Sequence, residues 1–170
     1  MGLKKCKSCH QFNVRERNGI AVSKYCKPCR EQKIKEKKEK HQTTKTYQKS
    51  RYKTLHKKAW GVFSKWVRYS QVKNGVVQCY TCPVALKPEE MQSGHFFHGT
   101  LDFDTRNIHP QCPQCNLYKS GNLAEYGVRL ATEIGVEGME QLRADSYTIT
   151  YSLDDLERII EDYTAKLKTL

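Results

Sequence analysis

All eight cysteines of this 170-residue chain fall into four C-x-x-C pairs, at 6/9, 26/29, 79/82 and 112/115. Each pair offers two thiolates from one tight turn, and two pairs complete the tetrahedral shell of a structural zinc. The chain opens Met-Gly-Leu-Lys-Lys-Cys with no apolar signal region, and no run of apolar residues is long enough to span a bilayer. The expected compartment is therefore the cytoplasm, and no membrane partner is expected. There this spacing signifies metal and not disulfides. A thioredoxin-like redox site calls for a βαβ pattern that is missing. Cys6-Lys7-Ser8-Cys9-His10 matches covalent haem attachment, but that chemistry requires export, and a further pair follows at Cys26 and Cys29. Two zincs are expected, one on Cys6, Cys9, Cys26 and Cys29, the other on Cys79, Cys82, Cys112 and Cys115.

The net charge is +12 and the hydrophobic fraction 38%, so one modest core and a polyanionic partner are expected. The charge is unevenly placed. Residues 27–58 carry 13 basic and 3 acidic side chains, whereas residues 124–170 carry 5 and 10. Residues 1–30 read as a small four-cysteine zinc finger with an Asn18-Gly19 hairpin turn, too small to fold without its metal. Lys4, Lys5, Lys7, Arg15 and Arg17 give it a DNA-contact reading, and a structural cap is the equal alternative. Residues 31–58 form a basic arm. Its charged helix, from about Pro28 to His41, lacks an apolar face and is either a phosphate-binding element or a solvated linker. Lys33, Lys37, Lys38, Arg51, Lys53, Lys57 and Lys58 are the candidate nucleic-acid contacts there. The β-branched stretch 43–46 interrupts it.

Residues 59–170 carry the remaining motifs. Leu55, Ala59, Val62, Phe63, Trp66 and Val67 recur at helical spacing within a predicted helix from about Gln48 to Val72. Asn74-Gly75 then turns the chain into a strand that leads to Cys79. Between the last two cysteine pairs lie S-G-H-F-F-H at 93–98 and T-R-N-I-H-P-Q-C-P-Q-C-N at 105–116, followed by Lys119, Gly121 and Tyr126. Pro113 and Gly121 frame a short helix from about Pro113 to Ser120.

This order of zinc pair, histidine, asparagine, zinc pair and C-N-x-x-K resembles the HNH or ββα-metal nucleases. The string from S-G-H-F to K-S-G-N and Tyr126 is similar to one branch of them, the phage NinG (Rap) recombination endonucleases, which act on branched DNA. The motif-bearing match spans about Gln78–Leu130. The resemblance implies an α+β fold: a small zinc-stabilised ββα-metal, treble-clef nuclease core flanked by helices, with a separate N-terminal finger. One strand would end near Ser93–Phe97, the return strand would span about Thr105–His109, and Thr100–Asp104 would connect them.

The same resemblance assigns roles. His95 takes the position of the general base, Asn107 that of the residue propping it, and Asn116 that of the helix ligand to a catalytic Mg2+ or Mn2+. Lys119 shares the Asn116 face and can hold a phosphate oxygen. Many HNH sites carry Asp before the catalytic histidine; here that position is Gly94, a form usual in the resembled branch. The other metal ligand is then open among His98, Asp102, Asp104 and His109. Strand alternation favours His109, which it sets on the face of Asn107.

Downstream, residues 123–144 read as two short helices broken at Gly135 and Gly138. Ser152 caps a last helix whose Leu153, Leu156, Ile159, Ile160, Tyr163 and Leu167 form a stripe. That stripe suits packing on the Trp60–Val67 helix or a homodimer interface. The expectation is a metal-dependent, structure-selective DNA endonuclease cutting Holliday junctions and D-loops. A non-catalytic zinc-finger nucleic-acid-binding protein is the rival.

Overall fold

The computed structural model describes residues 4–11, 14, 16–17, 20–21, 23–43 and 45–170. The chain forms two compact units, Met1–Arg51 and Tyr52–Leu170.

In the first unit, β1 (Glu16–Arg17) pairs antiparallel with β2 (Ile20–Ala21), and α1 runs over Lys27–Thr43. The expected Asn18-Gly19 turn and the Arg15 contact lie outside the described residues, and nothing is described of the Arg17 side chain. Among the described residues of this unit Cys6, Cys26 and Val14 form the buried cluster, so the cysteines are themselves its core. α1 ends at Thr43 and α2 (Lys45–Tyr69) begins after Thr44, within the β-branched stretch.

The second unit is built on α2 from Tyr52 onward. Asn74 and Gly75 take positive φ, and the chain then enters the hairpin β3 (Val77–Gln78) and β4 (Ala85–Leu86). β5 (Gln92–His95) pairs antiparallel with β6 (Ile108–Gln111), matching Gln92 with Gln111, Ser93 with Pro110, Gly94 with His109 and His95 with Ile108. β6 begins three residues later than the predicted return strand. Residues 101–107 are spent on turns, in which Asp104 N–H donates to Leu101 O and Asn107 N–H to Asp104 O. Arg106 locks that connection to the neighbouring helix by bonding both Asp104 and Asp145.

Cross-strand partners point to the same side of a ladder and successive residues to opposite sides. Ser93, His95 and Ile108 therefore face one way, Gln92, Gly94, His109 and Gln111 the other. The first face meets α2, where Ala59, Phe63 and Val67 form a core with Phe103, Ile108, Leu156 and Tyr163. Leu156 and Tyr163 belong to α4 (Leu153–Lys168), whose stripe is thus covered within the unit. Ser152 and Asp155 cap α4 reciprocally, satisfying two orphan backbone donors.

The second face meets the cysteine turn and α3 (Leu123–Thr148). α3 supplies Tyr126, Leu130 and Leu142 to a second core with Tyr80 and Leu101. Gly135, at φ 72°, breaks α3 as expected, whereas Gly138 stays helical. The predicted 113–120 helix is one wide turn, Gln114–Tyr118, closed by Lys119 N–H donating to Gln114 O. Ser120, Gly121 and Asn122 then all take positive φ, redirecting the chain into α3. The parts are mixed α and β with two cysteine tetrads. Among the described residues no helix is long and apolar enough to cross a membrane.

Candidate active site beside a cysteine cluster

Within each tetrad, Cys6/Cys9/Cys26/Cys29 and Cys79/Cys82/Cys112/Cys115, the ligand atoms lie within 4.8 Å of one another. Four sulfurs at that spacing fit a tetrahedral zinc. In the second cluster burial alone would raise the Cys79 thiol, but backbone N–H groups of Cys112 and Thr81 pull it down to about 7. Burial and the neighbouring sulfurs push Cys82 up to about 12. One thiolate forms readily and the full set needs a cation among them, which is what zinc supplies.

The α2-facing side of the β5–β6 hairpin carries His95. Its ring stacks on Trp60 at 4.9 Å and 22°. Its Nε2 lies 3.4 Å from Asp102 Oδ1, while the other Asp102 oxygen lies 3.0 Å from His56 Nε2. Burial works against the Asp102 anion, yet the two imidazoles outweigh it and hold its pKa below the usual carboxylate value. His98 follows on the exposed loop with its ring 5.4 Å from that of His95.

Asn107 is wholly buried and reaches the loop after His95. Its side-chain amide donates to Phe97 O and Leu101 O and accepts from Phe97 N–H, at 2.7–3.1 Å. It fixes the backbone of 97–101, the segment leading to Asp102, and makes its bonds to that loop.

The opposite side carries Asn116, His109 and Gln111. Asn116, in the wide turn between Cys115 and Leu117, donates from Nδ2 to Gln92 Oε1 at 2.7 Å. Asn116 and His95 approach from opposite sides of the hairpin and line one cavity of about 440 Å3 at the β5 edge, with Gln92, Ser93, His98 and Leu117.

His109 is not gathered with them. The register that pairs His95 with Ile108 turns the next residue away, and the His109 ring stacks on Tyr80 at 3.9 Å. Its Nδ1 is 2.9 Å from the Tyr126 hydroxyl, and burial pushes its pKa down to about 4. His109, the preferred catalytic-metal ligand, thus stands apart from that cavity, its buried imidazole packed on Tyr80 and reaching the Tyr126 hydroxyl of α3.

Gly94 has a steric cause. A β-carbon there would lie 1.9 Å from Gln111 Oε1 and 3.1 Å from Asn116 Oδ1. Gln111 is wholly buried, and its Nε2 donates to Thr81 Oγ1 at 2.9 Å and Gly121 O at 2.7 Å. A carbonyl needs a donor, so the amide cannot be flipped and Oε1 must point at Gly94. That oxygen is the buried side-chain polar atom left without a hydrogen-bond partner among the described residues.

These positions test a catalytic cation as well. Among the described residues the clusters of three or more His, Cys, Asp or Glu ligands are the two cysteine tetrads alone. The hairpin site therefore offers Asn116 Oδ1 and imidazole nitrogen, not a carboxylate cage. A hard cation there would have Asn116 Oδ1 as its protein oxygen and would depend on water and substrate phosphate for the rest of its shell.

The candidate nucleic-acid contacts are all exposed: Lys4, Lys5, Lys33, Lys37, Lys38 and Arg51 in the first unit, Lys53, Lys57, Lys58 and Lys119 in the second. Lys53 and Lys57 line a second cavity, which reaches His95. Sequence reasoning missed His56 and Gln111 and did not tie Asp102 to His95. For His56 a signal existed: it stands one turn before Trp60 on the same side of α2.

Three comparisons bear on what this chain is. The family profile described as "Bacteriophage Lambda NinG protein" matches residues 2–170. "Protein ninG" of Salmonella phage P22 is 34% identical over 96 residues, 54% of this chain and 47% of that protein. "Protein ninG" of Escherichia phage lambda is 33% identical over the same length and coverage. "Protein ninG" of Enterobacteria phage H19B is 39% identical over 70 residues, 41% of this chain and 35% of that protein. The chain thus spans about half or less of the curated relatives it matches. No solved structure matches it.

Proposed function

The chain belongs to the bacteriophage NinG family, and on that premise we propose that it is a metal-dependent DNA endonuclease hydrolysing phosphodiester bonds in branched recombination intermediates such as Holliday junctions and D-loops. The observation that carries this reading is His95. Its ring is stacked on Trp60, its Nε2 is turned to Asp102, and it shares a cavity with Asn116 beside a four-thiolate cluster.

Asp102 is an acceptor, so the proton stands on Nε2 and Nδ1 keeps its lone pair. Nδ1 is then the atom that takes a proton from the water attacking phosphorus. A positioned imidazole contributes roughly 10²–10⁴ in rate near neutral pH. Asp102 orients the ring and stabilises the imidazolium, and Asn107 holds the loop that carries Asp102. Asn116 Oδ1 would hold Mg2+ or Mn2+, which when bound supplies Lewis-acid stabilisation of the charge developing on the phosphate. Lys119, exposed three residues on, meets a neighbouring phosphate.

The test is incubation of the purified zinc-loaded protein with linear, flap and four-way DNA, with and without Mg2+ or Mn2+. Metal-dependent cleavage of branched DNA that His95→Ala slows by about 10²–10⁴ is the expected result. Binding with no cleavage under any condition would transfer the chain to the non-catalytic zinc-finger reading.

A further inference from the structure

α2 carries two parallel rows on the side that meets His95. Tyr52, His56 and Trp60 stand four residues apart and form a row of rings; Lys53 and Lys57 form a row of charges beside it. Tyr52 and His56 have ring centroids 5.8 Å apart, and Trp60 stacks on His95 at 4.9 Å. Together with Gly99 and Asp102 these side chains line an open cavity of about 620 Å3. That lies within the range of about 300–1,000 Å3 usual for sites that take a small organic group. The single acidic residue in the wall, Asp102, is engaged by His56 and His95 and is not a free anion facing the opening.

We infer that this cavity is a nucleotide subsite: an unpaired base of the substrate strand enters it against the Tyr52–His56–Trp60 row, with its flanking phosphates at Lys53 and Lys57. The inference rests on the nuclease reading of His95 and supplies a source of its structural selectivity. A base can reach a concave wall only after leaving its stack, which costs least where the strand is already unpaired. Aromatic faces then recover energy from any base without reading its identity, and lysines follow the backbone. Blunt duplex meets the lysines but leaves the cavity empty.

The test is binding, read by fluorescence anisotropy of a labelled 12-nucleotide single strand and its blunt duplex, in buffer without added Mg2+ or Mn2+. Each lost phosphate contact on a single strand lowers the slope of log K against log salt by about 0.7. The double variant Lys53→Gln/Lys57→Gln should therefore lower the single-strand slope by about 1.4. Tyr52→Ala should weaken the single strand by roughly 10- to 100-fold. Because Tyr52 also packs on the core, photo-crosslinking of a 5-iodouracil oligonucleotide to the unaltered full chain gives an independent reading. The crosslink should map to the 52–60 segment. Crosslinks confined to other segments, such as that of Tyr118, or equal losses for single strand and duplex with Tyr52→Ala, would overturn the subsite. A failure of cleavage on every DNA would sink the nuclease reading while leaving these binding results standing.

Discussion

The carboxamide oxygen of Gln111 lies 1.9 Å from the point that a β-carbon on Gly94 would occupy. One strand of the hairpin therefore dictates the residue allowed on the other. The volume in which a side chain at 94 would sit is filled by an amide fixed through Thr81 and Gly121. Adding a carboxylate there does not add a metal ligand; it forces Gln111 out. Gly94→Asp should destabilise the second unit by about 1–3 kcal/mol, the usual cost of overpacking. Gly94→Asp combined with Gln111→Ala should recover part of that loss, a coupling that urea unfolding of the four cycle members would read. Equal stability of Gly94→Asp and the parent would show that Gln111 moves aside freely.

On the proposed nuclease function, the His56–Asp102–His95 chain allows orientation to be separated from proton transfer. His95→Ala should retain zinc and DNA affinity while cleavage falls by about 10²–10⁴. Asp102→Asn keeps the size of the side chain but can present its NH2 to Nε2, which favours the other tautomer. Its rate should lie between those of the parent and His95→Ala, with affinity unchanged. Single-turnover rates beside anisotropy titrations check this, and an Asp102→Asn enzyme as fast as the parent would remove Asp102 from the mechanism.

Two zincs per chain should be found by elemental analysis. Cys112→Ser opens a cluster packed against Val77 and Met91 and receiving the hairpin, so the second unit should lose its fold. Cys6→Ser should leave the near-ultraviolet signal of Trp60 and Trp66 intact, since the first tetrad is drawn wholly from residues of the other unit. Disulfides in the purified protein, or one zinc shared between the tetrads, would contradict this arrangement.

Much of this was legible because cysteine spacing and apolar periodicity are local signals. The C-x-x-C pairs marked both tetrads, and the spacing of Ala59, Phe63 and Val67 marked the side of α2 that meets the hairpin and α4. What sequence could not supply was register. Alternation from Asn107 through His109 presumed a strand already running there, but turns occupy 101–107 and the ladder starts at Ile108. Asp102 and His56 were hidden for a related reason: they are brought together by a loop that Asn107 holds from within, not by any spacing along the chain.

His109 gives a pH signature of the fold that is separate from any catalysis. Burial lowers its pKa to about 4, against an ordinary value of about 6.5. Between those values the unfolded chain binds a proton that the folded chain does not, so stability rises with pH. The contribution is fully present above about pH 6.5 and is lost progressively as pH falls toward 4. On moving from pH 7.5 to 5.5 the parent should lose on the order of 1 kcal/mol that His109→Gln, with no proton to gain, does not lose. Urea unfolding of both proteins in excess zinc measures it, and taking the difference between them removes the acid sensitivity of the thiolates that they share. If His109→Gln loses stability as steeply as the parent, the imidazole is already protonated in the fold, and Glu133, whose carboxylate is 3.8 Å from Nε2, dominates over burial.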